Sequence, residues 1–136
     1  MDHKNHEGYA DPTATAALKN TAAGEKAWRP CVLICSPFAG DILHNTEAVR
    51  RYMRFAICRG VIPFAPHLLY PQVLDDDNPE ERMLGMFFGL VWLGKCHELW
   101  VFGNQISAGM EKEITAAKKR CMTIRCFTKD CKEVLE

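Results

Sequence analysis

Two glutamates stand two positions apart in the stretch QISAGMEKEITAAKKR, residues 105–120, and their surroundings differ. A helix advances by about 100° per residue, so positions three and four apart share a face. Glu111 shares its face with Thr115 and Lys118, an ordinary solvated stripe. Glu113 shares its face with Gly109, Met110, Ala116 and Ala117, none of which can pair with a carboxylate. Desolvation by Met110 and Ala117 raises the pKa of such a group, while the helix N-terminus favours its anion. A carboxylate balanced in this way is poised as a nucleophile or a base. Ser107-Ala108-Gly109 precedes it with a hydroxyl, backbone N–H groups and room for close approach, a cradle for a phosphate or sugar oxygen. A glutamate near a helix start also serves simply to complement the helix dipole, and the residues alone leave both readings open.

Other chemistry-bearing residues have plainer readings. The cysteines at 31, 35, 58, 96, 121, 126 and 131 form no C-x-x-C pair and match no zinc-ligand spacing. They read as reduced structural thiols, most of them in or beside apolar segments. The acidic cluster Asp75–Asp77 reads as a helix start: Asp77 or Asn78 caps, Pro79 takes the first position, and Glu80 and Glu81 fill the first turn. No metal and no cofactor is expected. Seventeen basic and seventeen acidic residues cancel, with a pI near 6.9. That balance argues against coating a nucleic-acid polymer or a membrane surface and favours a small-molecule partner. The longest apolar run, LGMFFGLVWLG at 84–94, is short of the ~20 residues a bilayer requires. The N-terminus has no basic start followed by an apolar block, so a cytoplasmic location is expected.

The elements that position these residues follow from periodicity. With 136 residues, 48% of them hydrophobic and 25% charged, the chain makes one globular domain. Residues 1–28 lack any sustained period and read as a flexible tail ahead of a domain at 29–136. CVLIC (31–35) is a strand buried on both faces. NTEAVRRYMRFAICRG (45–60) is a helix capped by Asn45 or Thr46, with Ala48, Tyr52, Phe55 and Ala56 as its apolar stripe and Gly60 closing it. VIPFAP (61–66) is a second strand, and HLLYPQVLDDDNPEER from residue 67 is a loop into the next helix. EERMLGMFFGLVWLGKC (80–96) is a helix apolar almost all round, and therefore expected to be largely buried. ELWVFG (98–103), SAGMEKEITAAKKR (107–120) and CMTIRCF (121–127) give strand, helix and strand, with a short terminal helix or frayed end after them. Such alternation predicts an α/β fold: a three-layer α/β/α sandwich on a four- to five-stranded parallel sheet, Rossmann- or flavodoxin-like, in the order 2-1-3-4.

Ligands in such sheets bind beyond the carboxyl ends of the strands, where the strand order reverses. Here that crevice lies between the first and third strands. The loops lining it are SPFAGDILHN (36–45) and GNQISAG (103–109), with HLLYPQ (67–72) nearby, which makes Asn104 and His67 candidates for contact with a ligand. Glu113 sits on the helix whose N-terminus opens onto the same crevice.

The stretches VLICSPFAGD, LGKCHELWVFG and SAGMEKEITAAKKRCMTI, in this order and spacing, resemble the nucleoside 2-deoxyribosyltransferase family and the small bacterial and phage domains related to it. The likeness spans most of 31–127. It implies that Glu113 is the nucleophile that attacks the anomeric carbon of a 2'-deoxynucleoside or its 5'-monophosphate, displacing the base. The glycosyl-enzyme then passes its sugar to another base or to water, the two-displacement logic of retaining glycosidases. The resemblance further implies that Ser36, Phe38 and Asp41 sit at the nucleoside, that Ser107 and Gly109 (with Met110 beside them) sit at the sugar or its phosphate, and that the chain forms homo-oligomers. Two positions depart from the family pattern: Gly89 and His97 stand where relatives commonly carry aspartates that help handle the base, and His67, Asp41 or His44 could take over the proton. A catalytically silent nucleotide-binding module of the same fold is the alternative reading.

Overall fold

The computed structural model describes residues 28–135, so the expected flexible tail, apart from Trp28, lies outside the described residues. Strand β1 (Cys31–Cys35) pairs in parallel with β2 (Ile62–Phe64) on one side and β3 (Glu98–Phe102) on the other. Strand β4 (Thr123–Phe127) extends the parallel sheet beyond β3, and the two-residue β5 (Glu133–Val134) closes it antiparallel, in the order β2-β1-β3-β4-β5. This is the anticipated Rossmann-like α/β fold.

Alternation along the central strands splits the interior in two. Val32, Ile34, Trp100 and Phe102 point to one face, where helix α1 (Ile42–Cys58) packs Ala48, Val49, Tyr52 and Ala56 against them. Tyr52 stacks on Phe102 at 4.3 Å between ring centroids, and Phe102 on Phe127 at 4.9 Å. Leu33, Cys35, Leu99 and Val101 point to the other face. There they meet Leu93 of helix α3 (Pro79–Leu93) and Met110 and Ala117 of helix α4 (Ala108–Lys119). A strand buried on both faces must be apolar at consecutive positions, which is why CVLIC and LWVF are continuous apolar runs.

Four local expectations are corrected. Helix α1 starts earlier, at Ile42, because Asp41 rather than Asn45 caps it: the Asp41 carboxylate accepts the His44 N–H at 3.1 Å. The Asn45 amide instead donates to the carbonyls of Phe38 and Ala39 at 3.0 and 3.1 Å, pinning the loop after β1. Residues after β2 are not loop alone. Pro66 opens a short helix α2 (Pro66–Leu69), followed by a 3-10 turn at Tyr70–Gln72, as expected of a proline whose fixed φ suits a first helical position.

Helix α3 is capped by Asn78, one of the two anticipated residues, but is not largely buried. Only Gly89 and Leu93 are fully enclosed, while Met83, Phe87 and Val91 are 69%, 59% and 42% exposed. One layer of helices covers this face of the sheet, and nothing among the described residues lies outside it. The C-terminal segment forms β5 rather than a helix. The Glu133 carboxylate holds the Arg125 guanidinium in two hydrogen bonds of 2.8 and 2.6 Å, and the Thr128 hydroxyl accepts the N–H groups of Asp130 and Lys132 in the tight turn between.

Candidate functional site

The carboxyl ends of β1 and β3 open into a cavity of about 200 Å³ bounded by the loop after β1, helix α2, one face of α3 and the first turns of α4. Each wall is placed by a local rule. The loop leaves β1 at Ser36, the single buried polar residue among those described, and is tied down by Asn45. Helix α4 begins at its N-cap Ser107, whose hydroxyl accepts the Met110 N–H at 3.3 Å, while the Ser107 N–H rests on the Met110 sulfur at 3.5 Å. Met110 is thereby driven into the core and the helix rotated so that Gly109 and Glu113 face the cavity.

Glu113 is half-buried on this wall, and no hydrogen bond or ion pair reaches its carboxylate among the described residues. Burial pushes its pKa up to about 7. Of the two opposed effects expected at this position, desolvation wins, because the dipole's influence fades within the first turn and Glu113 lies beyond it. Glu111, two residues earlier, is exposed. The charge of Glu113 also reaches Cys35, whose thiol burial has already raised far above the ordinary value and whose sulfur leans on the Met110 carbonyl. Cys35 is thus a protonated packing group.

Opposite this wall, the His67 Nε2 and the Ser36 hydroxyl lie 3.1 Å apart. Burial lowers the His67 pKa to about 4, so the imidazole is neutral near pH 7. The Phe38 ring meets it edge-on at 6.0 Å between centroids. The cavity therefore combines a partnerless carboxylate, a neutral imidazole–hydroxyl pair and the N-terminal turn of a helix. A group able to form or release an ester there would find a proton acceptor in the same enclosure.

Seven candidates from the sequence line this one cavity: Ser36, Phe38, His67, Ser107, Gly109, Met110 and Glu113. Asp41 is occupied as the cap of α1, and Asn104 is exposed in the turn after β3; neither is on the cavity wall. His44 is exposed on α1. His97 lies at the far, amino edge of the sheet, where its Nδ1 accepts the Cys31 N–H at 2.9 Å and its ring meets Trp28 at 5.1 Å. The residue type at position 97 thus has no direct bearing on the cavity, whereas Gly89 is on its wall.

Sequence reasoning missed Arg82, Gly85 and Met86, which line the cavity together with Gly89. A signal existed. Two glycines four apart in the middle of an apolar helix weaken it by roughly 0.5–1 kcal/mol each, so they call for a close approach on their face. A side chain's first carbon at Gly85 would sit 3.5 Å from Leu74, and at Gly89 3.9 Å from Pro66. No group of three or more histidine, cysteine, aspartate or glutamate residues able to hold a metal occurs among the described residues.

With this geometry in place, comparison with known proteins locates the chain. The model of the family described as "Domain of unknown function (DUF7768)" matches residues 30–127. The chain belongs to that family. No curated protein matches it. Among solved structures it is similar to the 2-deoxyribosyltransferase of the psychrotolerant bacterium Bacillus psychrosaccharolyticus, described as a biocatalyst for the synthesis of nucleosides. The likeness has a TM-score of 0.56 at 16% identity and covers 78% of this chain and 77% of that one. At that identity it shows a shared fold. Among the described residues no helix is long and apolar enough to cross a membrane.

Proposed function

We propose that this DUF7768 chain is an enzyme of the nucleoside 2-deoxyribosyltransferase kind, cleaving or exchanging the N-glycosidic bond of a 2'-deoxynucleoside or its 5'-monophosphate. The observation that carries the proposal is Glu113: a carboxylate without a partner, desolvated on the wall of the cavity at the sheet's carboxyl edge. Its anion attacks the anomeric carbon as the bond to the base breaks, and the base leaves with the electron pair and takes a proton from solvent. The resulting glycosyl ester is resolved by a second acceptor. Ser107 and the first N–H groups of α4 suit the sugar oxygens or a 5'-phosphate; Phe38 and the apolar side of α3 suit the base. No resident cofactor or metal is required, and free cytoplasmic nucleosides or nucleotides are the substrate pool.

Fold likeness to a 2-deoxyribosyltransferase supports the reading, as do the three sequence stretches that resemble that family. One observation favours a silent binding module instead: Gly89 is on the cavity wall, at the position where members of the resembled family commonly carry an aspartate. The two readings separate when the chain is incubated with a panel of 2'-deoxynucleosides and monophosphates, with and without free bases, and the products are resolved by chromatography. Base release or exchange by the wild type, absent in Glu113→Gln, is the expected result. Ligand binding without product identifies the module.

The proposal includes self-association. Met83, Phe87 and Val91 recur every fourth residue and form an exposed apolar stripe on α3, flanked by Leu84 and Trp92. The helix carries Glu80 and Glu81 in its first turn and Lys95 just past its end. Two copies packed antiparallel along this stripe bring each acidic start against the partner's basic end, the self-complementarity a two-fold interface needs.

A further inference from the structure

We infer that the His67–Ser36 pair is the proton relay that lets water resolve the glycosyl-enzyme, which makes the reaction a hydrolysis. The inference rests on the proposed role of Glu113 and adds to it the acceptor and the path of the proton.

Three observations converge. Ser36 and His67 come from different walls, the loop after β1 and the short helix α2, and meet at 3.1 Å inside the cavity that Glu113 lines. The other candidates for proton handling lie elsewhere: Asp41 caps α1 and His44 is exposed. His97, the remaining histidine of this region, is clamped at the opposite edge of the sheet. Asp76, Glu81 and Lys112 also line the cavity, with the Glu81 carboxylate accepting the Asp75 N–H at 3.3 Å, but none of them is paired with a second wall as His67 is with Ser36. The Tyr70 hydroxyl accepts the Trp92 indole N–H at 2.6 Å, and the Cys35 thiol is held protonated by burial.

With the imidazole proton on Nδ1, Nε2 accepts the Ser36 hydroxyl. A water molecule bound to Ser36 Oγ attacks the anomeric carbon; its oxygen–carbon bond forms as the bond from that carbon to the Glu113 carboxyl oxygen breaks. The electron pair returns to Glu113 as carboxylate, and the water's proton moves to Oγ while the hydroxyl proton moves to Nε2. The imidazolium then loses a proton to solvent. A neutral imidazole is required at the start, and burial supplies it by holding the His67 pKa near 4. So weak a base gains strength at the moment of need, because the carboxylate released into the same cavity favours the imidazolium.

The test uses the full chain, a 2'-deoxynucleoside that the wild type cleaves, and sodium azide. Azide attacks carbon without surrendering a proton, so it bypasses a missing base. For His67→Gln, steady-state release of base is expected to fall roughly 100-fold or more. A rapid burst of about one base per chain should survive, because the first displacement does not use the relay. Azide should restore turnover and yield the azido sugar. Ser36→Ala, a smaller change, should show the same burst and the same rescue, and it decides the matter if His67→Gln does not fold. His44→Gln should behave as wild type.

If both variants lose the burst along with turnover, or if neither loses turnover, the relay is overturned while the role of Glu113 stands. A wild type that exchanges bases but gives no product with water overturns the relay alone. A wild type that releases no base from any substrate overturns the proposed function and the relay together.

Discussion

Burial raises the Glu113 carboxyl to about 7 and lowers the His67 imidazole to about 4, so the two groups pull stability in opposite directions. The folded chain keeps a proton on Glu113 between its ordinary value of 4.5 and about 7. That contribution is fully present below 4.5 and is lost as pH rises through 7. His67 behaves oppositely: unfolding frees it to bind a proton between about 4 and 6.5, so its contribution is present above 6.5 and is lost as pH falls toward 4. Between about 4.5 and 6.5 the two slopes offset. Glu113→Gln removes one of them. Urea denaturation should find this variant equal to wild type at pH 4.5 and more stable by on the order of 1–3 kcal/mol at pH 8. A loss of stability at pH 8 would mean the carboxylate has a structural partner. The rate of base release by wild type should rise with pH and level off above about 7, since only the anion attacks. Glu111→Gln should leave that rate unchanged.

At the scale of elements, the caps decide where the cavity walls begin. Asp41→Ala should cost roughly 1 kcal/mol of stability in equilibrium denaturation through loss of the α1 cap, while base release stays near wild type, because the residue is not on the cavity wall. A specific loss of activity would place Asp41 at the substrate. The central elements were legible in the sequence because a strand buried on both faces and a helix with an apolar stripe leave unambiguous patterns. Glu113 was legible for the same reason, as its face is fixed by helical spacing. The start of α1 was not, because Asp41, Asn45 and Thr46 are all good caps and only the tertiary need to pin Phe38 and Ala39 assigns Asn45 elsewhere. The pairing of His67 with Ser36 was equally invisible, since it joins residues 31 positions apart through a turn that the sequence reads as loop.

For the whole molecule, the apolar face of α3 is the feature that periodicity misjudged: a helix apolar all round predicts burial, and one chain does not provide it. A second copy does. Light scattering coupled to gel filtration should report a dimer or higher oligomer for wild type and a shift toward monomer for Phe87→Glu, which places a charge in the middle of the stripe. A monomeric wild type at micromolar concentration would contradict this packing. The proposed mechanism requires a covalent bond between Glu113 and a sugar. The most direct measurement is peptide mass spectrometry on protein quenched during turnover of a cleaved 2'-deoxynucleoside, with His67→Gln included to prolong the ester's life. The expected result is a deoxyribosyl adduct on the peptide carrying Glu113, localised to that residue and absent from Glu113→Gln. Base release with no adduct, or an adduct on another side chain, would contradict it.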